Sequence, residues 1–372
     1  MKLFSCQQCG QALLFENTQC ESCQSPLGFH SDTLELTALT PLEQGFNVYS
    51  NQQPSPDNTV WFHCSNHAHN VCNWLVSTPD TLCDACDLNR HIPNLSGIEE
   101  QQAWQTLEQA KHQLVYALRR LNLPIVNKKQ DPDDGLSFDF ISEENVIPEG
   151  AQTSTGHAQG QVTINAVEAD SVDREQMRKD MNESYRTVIG HFRHEIGHYY
   201  WDQLIADQPT YLTSFRALFG DEQRNYAEAL SSHYATPNLE WQNEFISSYA
   251  SSHPWEDWAE TWAHYLHILD TLETAYYFGL STRPPLPQHS QLTASASLDP
   301  YTHENFEDLL NEYLPLTFAA NCLNRSMGQP DLYPFVLVPK VREKLGFIHQ
   351  LLRQIQANTE TVSKLKSRAS NH

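Results

Sequence analysis

The segment HEIGH, residues 194–198, places two imidazoles and a carboxylate at a spacing that suits metal chemistry. Residues four apart share one face of a helix, so His194 and His198 can each direct a ring nitrogen at the same ion. Glu195 is rotated by about 100° from His194 and falls beside such an ion, where it can exchange a proton with a water molecule. Gly197 has no side chain and permits close packing of another element. Imidazole and carboxylate donors favour zinc.

A zinc site that performs chemistry needs three protein ligands and one open position. A third histidine six residues after His198 is excluded, because Leu204 occupies that position. The segment HPWEDWAETWAH, residues 253–264, carries Glu256 and Glu260 on one face of a predicted helix. Two carboxylates on so aromatic a helix are costly to bury without a cation. We therefore predict that Glu256 binds zinc and that Glu260 orients a ligating histidine.

Other assignments stay open at this point. Glu260 can exchange roles with Glu256, and three further side chains are weaker candidates for the ligand: Glu228, Asp257 and His264. Peptide hydrolysis also needs a group that stabilises the oxyanion, for which we predict Tyr249. Three residues could take its place: His253, His264 and Tyr265.

Eight of the nine cysteines lie before residue 90 and form two groups. The first group has two C-x-x-C pairs, a spacing that wraps a tetrahedral metal, and it consists of Cys6, Cys9, Cys20 and Cys23. The second group has only one such pair and consists of Cys64, Cys72, Cys83 and Cys86. His67 or His69 could replace one cysteine there. Four ligands leave no open position, so we predict two structural zinc sites. Cys322 is predicted to be a buried apolar thiol.

The remaining sequence predicts an α+β protein. Residues 1–95 form a small β zinc-ribbon region with both cysteine sites, and residues 96–123 form a bridging helix. Residues 124–360 form a mainly helical domain with strands at LSFDFI (136–141) and QVTINAV (161–167), followed by a frayed tail at 361–372. A helical pattern that runs from Asp173 to about Ala206 contains the HEIGH segment.

Composition narrows the classes of function. The chain has 372 residues and a formal charge of −23, which repels phosphate backbones and argues against nucleic-acid binding. No signal peptide and no apolar run of 18 residues is visible, so a membrane partner is not expected. We expect a cytoplasmic protein, in which thiols stay reduced.

Long motifs in the chain resemble the bacterial zinc-binding metallopeptidases that carry an N-terminal zinc ribbon. The motifs are the paired C-x-x-C units, LCDACDLNRHIPNL, YRTVIGHFRHEIGHYYW, FRALFGDEQRNYAEAL and HPWEDWAETWAHYLHI. The resemblance implies a zincin-type catalytic domain. The two acids on the glutamate helix are also similar to those of thermolysin and the lethal-factor peptidases. In those proteins the first acid binds zinc, which supports Glu256 over Glu260.

These observations lead to a main hypothesis and an alternative. The main one is a zinc metalloendopeptidase of gluzincin type with one catalytic and two structural zinc ions, acting on a peptide or protein with Glu195 as the general base. The zinc ribbon would recruit a protein partner or the substrate. The alternative is a non-enzymatic adaptor whose HEIGH site is structural or vestigial. Glu195 speaks against the adaptor, because a structural site has no use for a general base.

Overall fold

The computed structural model describes residues 2–50, 53–54, 59–142, 155–180, 185–285 and 287–357. The chain divides into two compact units. The first unit comprises residues 1–120, 125–156 and 161–174, and the second comprises residues 121–124, 157–160 and 175–372. The predicted fold class is confirmed, since short strands with clustered cysteines precede a mostly helical part. The domain boundaries stay a prediction, and the tail at 361–372 lies outside the described residues.

The first unit begins with short antiparallel strands around the cysteines. Three sheets form there, pairing β1 with β2, β7 with β8, and β3 to β6 in chain order. The strands are β1 (Phe4–Ser5), β2 (Ala12–Leu13), β3 (Leu27–His30), β4 (Glu35–Pro41), β5 (Phe46–Ser50), β6 (Gln53–Pro54), β7 (Phe62–His63), β8 (Leu75–Val76) and β9 (Asn89–His91). Leu27, Phe29 and Leu36 of these strands are fully buried, so the region has a small apolar core beside its cysteines.

Helix α1 (Ile98–Arg120) belongs to the first unit and packs on these strands. Its apolar side chains Trp104, Leu107 and Leu114 are almost fully inaccessible. The ring of Tyr116 lies 5.4 Å from that of Phe15. Strands β10 (Ser137–Ile141) and β12 (Gln161–Asn165) pair in parallel, and β10 also pairs in parallel with β9. Strand β11 (Gly156–Ala158) spans the boundary between the units.

The predicted long helix around HEIGH is divided. Helix α2 (Ser171–Asp180) ends before residues 181–184, which lie outside the described chain, and a separate helix α3 (Val188–Trp201) follows. Thr187 has an extended backbone, and its hydroxyl accepts the N–H of Gly190 at 3.1 Å, so it caps a new helix. The α-helical pattern continues from α3 into a π-helical turn at Asp202–Ala206.

The second unit is built around α3 and α6, which pack side by side. It contains the part of α2 from Glu175 onward. Its other elements are α3 (Val188–Trp201), α4 (Pro209–Phe219), α5 (Tyr226–Ala235), α6 (Pro254–Tyr277), β13 (Ser281–Thr282), β14 (Ala294–Ser295), α7 (Phe306–Ser326) and α8 (Pro339–Ala357). Pro254 occupies the first turn of α6, where its missing N–H costs nothing. Within the described residues, no helix is both long and apolar enough to cross a membrane.

Gly197 allows α3 and α6 to approach closely. A Cβ atom at this position would lie 3.1 Å from Cα of Ala259 and 3.2 Å from the side chain of Trp262. The carbonyl of Gly197 accepts a hydrogen bond from the indole of Trp258 at 2.8 Å. Trp258 and Trp262 are fully buried. The two helices that carry the candidate ligands are therefore held at a fixed, short distance.

Candidate metal centres

Side chains from α3 and α6 bring three metal-binding atoms together. Oε2 of Glu256 lies 3.0 Å from Nε2 of His194 and 3.5 Å from Nε2 of His198. The two Nε2 atoms are 3.2 Å apart. Ligand atoms about 2.0–2.1 Å from a tetrahedral zinc ion are about 3.3 Å from one another. The three side chains therefore fit one zinc ion without rearrangement.

The surroundings of Glu256 also call for a cation. This residue is 1% exposed, and its Oε2 atom has no hydrogen-bond partner in the described chain. Burial raises the pKa of Glu256, but His198 and His194 outweigh that effect and hold the pKa well below its usual range. A buried, ionised carboxylate with an unpaired oxygen is costly unless a positive charge receives it. Zinc bound by the two imidazoles would supply that charge.

Glu260 lies where an orienting residue should be. Its Oε1 accepts a hydrogen bond from Nδ1 of His194 at 2.7 Å, and the hydroxyl of Ser247 donates to its Oε2 at 2.6 Å. Burial raises the pKa of Glu260, but the contacts with His194 outweigh it and lower the pKa to about 2. Because the carboxylate holds Nδ1, the Nε2 atom of His194 is the one presented to Glu256.

Glu195 lies on the same helix and is 8% exposed. Its carboxylate interacts electrostatically with His194, His198 and Glu256, the three candidate ligands. Burial raises the pKa of Glu195, and the two nearby histidines oppose that shift without cancelling it. A carboxylate in this setting is free to accept a proton.

Two tyrosines border the site. The ring of Tyr249 lies 5.9 Å from that of His194, and burial raises the pKa of Tyr249. Tyr226, which the sequence reasoning missed, donates its hydroxyl to Oε1 of Glu256 at 2.6 Å. Tyr226 lies inside the motif FRALFGDEQRNYAEAL, but no spacing rule connects it with α6, so the sequence alone offered no signal for this contact.

The weaker candidates have other partners. Asp257 forms a buried ion pair with Lys344 at 2.6 Å, and Glu228 is exposed on α5. Nδ1 of His264 lies 2.9 Å from the hydroxyl of Tyr333. The side chain of His253 caps α6 by accepting the N–H of Trp255 at 3.1 Å. The hydroxyl of Tyr265 lies 3.0 Å from Nδ1 of His349.

The cysteines also approach at metal-binding distances. The Sγ atoms of Cys6 and Cys23 are 3.6 Å apart, as are those of Cys9 and Cys20. In the second cluster the Sγ atoms of Cys72 and Cys83 are 3.7 Å apart. A disulfide would require about 2.05 Å. Four thiolates about 2.3 Å from a tetrahedral zinc ion lie about 3.8 Å apart, so both clusters fit zinc.

The second cluster is buried and rich in hydrogen-bond donors. All four cysteines are inaccessible, whereas Cys9 of the first cluster is exposed and Cys23 is half-buried. Three thiolates of the second cluster each lie near a backbone N–H: Cys64 (3.2 Å), Cys72 (3.3 Å) and Cys83 (3.4 Å). The fourth, Cys86, lies 3.6 Å from Nε2 of His112 on α1. Thiolates buried in this way are stabilised by such donors.

The histidines considered as replacement ligands are placed elsewhere. Nδ1 of His67 lies 2.8 Å from the carbonyl of Cys72, and the ring of His69 lies 5.5 Å from that of Trp104. Cys86, Glu108 and His112 also lie close enough together to suggest a metal. However, Glu108 is already neutralised by the buried Lys111 at 2.9 Å, so no further cation is needed there.

The expectation for Cys322 is wrong. This thiol is exposed, because it lies on the outward side of the C-terminal half of α7, where neighbouring side chains such as Leu323 are also 68% exposed. No other cysteine lies on this helix. An isolated cysteine within a helical pattern carries no sequence signal that separates a buried position from an exposed one.

Comparisons with known proteins define the class of this chain. Residues 100–351 match the model of a family described as "Putative zinc-binding metallo-peptidase", and residues 3–97 match a zinc-ribbon domain. The chain belongs to this zinc-binding metallopeptidase family, which confirms the resemblance seen in the motifs.

Relatives extend over nearly the whole chain. Uncharacterised proteins from Mycobacterium bovis and from two strains of Mycobacterium tuberculosis are each 41% identical over 368 residues, covering 97% of this chain and 98% of the relative. No solved structure matches the chain. The similarity therefore extends over both the zinc-ribbon region and the metallopeptidase region of this chain.

Proposed function

We propose that the protein is a zinc-dependent peptidase of gluzincin type that hydrolyses peptide bonds. The observation that carries the proposal is the meeting of Nε2 of His194, Nε2 of His198 and Oε2 of Glu256 within 3.5 Å of one another. Three ligands leave the fourth position of a tetrahedral ion open, as catalytic zinc requires. The family assignment supports the same class of reaction.

The side chains around the ion have distinct roles in this proposal. A zinc ion held here would polarise the scissile carbonyl and make water more acidic. Glu195 accepts the proton of the attacking water and then donates it to the leaving amine, a role that its raised pKa and its place beside the candidate ligands support. Glu260 keeps His194 in the orientation that binds metal. Tyr249 is the proposed donor to the oxyanion.

The proposal extends to the whole protein. We propose one catalytic zinc ion and two structural ones, because among the residues that the structure describes only the cysteine clusters have four ligands. The substrate is a peptide or protein, and the zinc ribbon offers a surface for a protein partner. Nucleic acid is disfavoured by the charge of −23. Eight thiols in zinc clusters favour a reducing compartment, which is the cytoplasm.

Metal content and cleavage together test the proposal. Purified wild type should contain three zinc ions, His194→Ala two, and Glu195→Gln three. A broad peptide library should be cut by wild type and not by Glu195→Gln, because general-base catalysis contributes about 10²–10⁴ in rate. Glu240→Gln, which changes an exposed acid, is the matched control. Cleavage that persists in Glu195→Gln, or an unchanged zinc count in His194→Ala, would refute the mechanism or the site.

A further inference from the structure

Tyr226 forms a direct link between an exposed helix and the candidate metal site. It is the first residue of α5, whose N-terminus is capped by the side chain of Asn225. Its hydroxyl donates to Oε1 of Glu256 at 2.6 Å, and its ring lies 5.3 Å from that of His253 and 6.2 Å from that of Trp255. All three partners belong to the start of α6 or to its cap.

The two oxygens of Glu256 therefore have different partners. Oε2 faces the imidazoles of His194 and His198, whereas Oε1 is held by Tyr226. A carboxylate oxygen engaged in a short, charge-assisted hydrogen bond is the weaker metal donor of the two, so Oε2 is the favoured ligand atom. Binding through one oxygen keeps the ion four-coordinate and leaves one position for substrate.

The rest of α5 contributes little burial. Ala229 is the only buried residue of this helix, Tyr234 is 69% exposed, and Leu239 just beyond its end is 86% exposed. The ring of His233 lies 6.4 Å from that of Tyr249, which is the second contact of α5 with the border of the site. Tyr226 itself is 38% exposed, so its hydroxyl reaches from the surface to a carboxylate that is 1% exposed.

We propose that Tyr226 is a positioning residue of the metal site. Its hydroxyl restricts Glu256 to binding through Oε2, and the same hydrogen bond fastens α5 beside the site. The state of α5 is thereby coupled to the occupancy of the metal site. The proposal rests on the proposed function only in requiring that a metal ion binds at His194, His198 and Glu256.

Zinc release from Tyr226→Phe tests the first half of the proposal. The full-length protein is loaded with zinc and mixed with a chromogenic chelator, and the kinetic phase that is missing in His194→Ala is assigned to this site. That phase should be about 10–100 times faster in Tyr226→Phe, the range typical of lost partners of metal ligands. The cobalt(II)-substituted site should also change its visible absorption, since Glu256 can then bind through both oxygens.

The control is Tyr276→Phe, which removes a hydroxyl from a tyrosine that is 37% exposed at the far end of α6. This variant should release zinc as wild type does. Hydrogen exchange of α5 amides tests the second half: exchange should rise in Tyr226→Phe and in zinc-free wild type. A merely structural tyrosine would raise exchange in Tyr226→Phe and leave zinc release and the cobalt spectrum unchanged, and that result would overturn the proposal.

The same experiments separate this proposal from the proposed function. If His194→Ala lacks the phase but Tyr226→Phe releases zinc at the wild-type rate, the metal site stands and the role of Tyr226 is refuted. If wild type and His194→Ala show identical phases, no metal binds at this site and both proposals fail.

Discussion

The second cysteine cluster and the histidine–glutamate site are both buried, yet they differ in what remains unused. The cysteine cluster supplies four thiolates, and each of them lies near an N–H donor from the backbone or from His112. The site on α3 and α6 supplies three ligand atoms and, beside them, the buried carboxylate of Glu195. Complete ligation is typical of a structural centre, whereas three protein ligands with a carboxylate beside them are typical of zinc sites that perform chemistry.

The largest expected effect is on the cysteine side of this comparison. Cys83→Ser should remove one zinc ion and unfold the first unit, because structural zinc contributes on the order of 10 kcal/mol in small zinc domains. The exposed Cys322 provides the matched control, and Cys322→Ser should leave stability unchanged. Metal analysis combined with calorimetry checks both. A Cys83→Ser protein that retains its full zinc content and its unfolding profile would show that the second cysteine cluster is not a structural zinc site.

At the histidine–glutamate site, substitutions of the two glutamates should lower the metal affinity to different degrees. Glu256→Ala should abolish zinc binding at this site, whereas Glu260→Ala should weaken it about 10–100-fold, because Glu260 acts through His194. Competition titrations with a zinc-binding dye measure both, with Glu240→Ala as the exposed control. The opposite ranking would show that Glu260 is the ligand and Glu256 its neighbour.

Acid should destabilise the second unit for a reason that does not involve metal. Burial lowers the pKa of His349 to about 4, and its Nε2 lies 3.0 Å from the carbonyl of Glu304. The folded-state pKa of His349 is below its unfolded value of about 6.5. The contribution of neutral His349 to stability is therefore fully present above pH 6.5 and is lost as the pH falls toward 4. We expect a loss of about 2 kcal/mol over that window.

Denaturant unfolding of wild type and His349→Gln at pH 7 and pH 4.5 measures this loss. The variant should be less stable at pH 7 and show a smaller dependence on pH. Equal pH dependence in both proteins would show that groups other than His349 cause the acid sensitivity of the second unit.

The smallest expected effect concerns the contact of α1 with the cysteine cluster. Burial lowers the pKa of His112, but Cys86 outweighs it and the pKa is raised, as expected for a group that stabilises a thiolate. His112→Phe should release the second zinc ion about tenfold faster, which corresponds to the lower end of the 1.5–3 kcal/mol that a hydrogen bond to a charged group typically contributes. His69→Phe is the control. An unchanged rate would show that the backbone donors alone retain this zinc.

The sequence predicted what depends on local spacing. The two histidines of HEIGH lie about one helical turn apart, and the cysteines within each C-x-x-C pair of the first cluster are three residues apart. The structure brings the donors of each motif together. The pairing of α3 with α6 was predicted only because Glu256 and Glu260 are expensive to bury alone. Contacts without such a cost were missed: Tyr226 reaches Glu256 across 30 residues, and His112 reaches Cys86 across 26. Neither spacing reflects a helix or strand period.

Gly197 gives the histidine–glutamate site an unusual weak point. The short distance between α3 and α6 depends on the absence of a side chain at residue 197, because even a methyl group there would lie 3.1 Å from the backbone of Ala259. A search for variants that lose metal should therefore find Gly197 alongside His194 and Glu256. A variant with a larger residue at 197 would keep every metal ligand and every proton donor. It would bind metal poorly only because α3 and α6, which carry the ligands, are held too far apart.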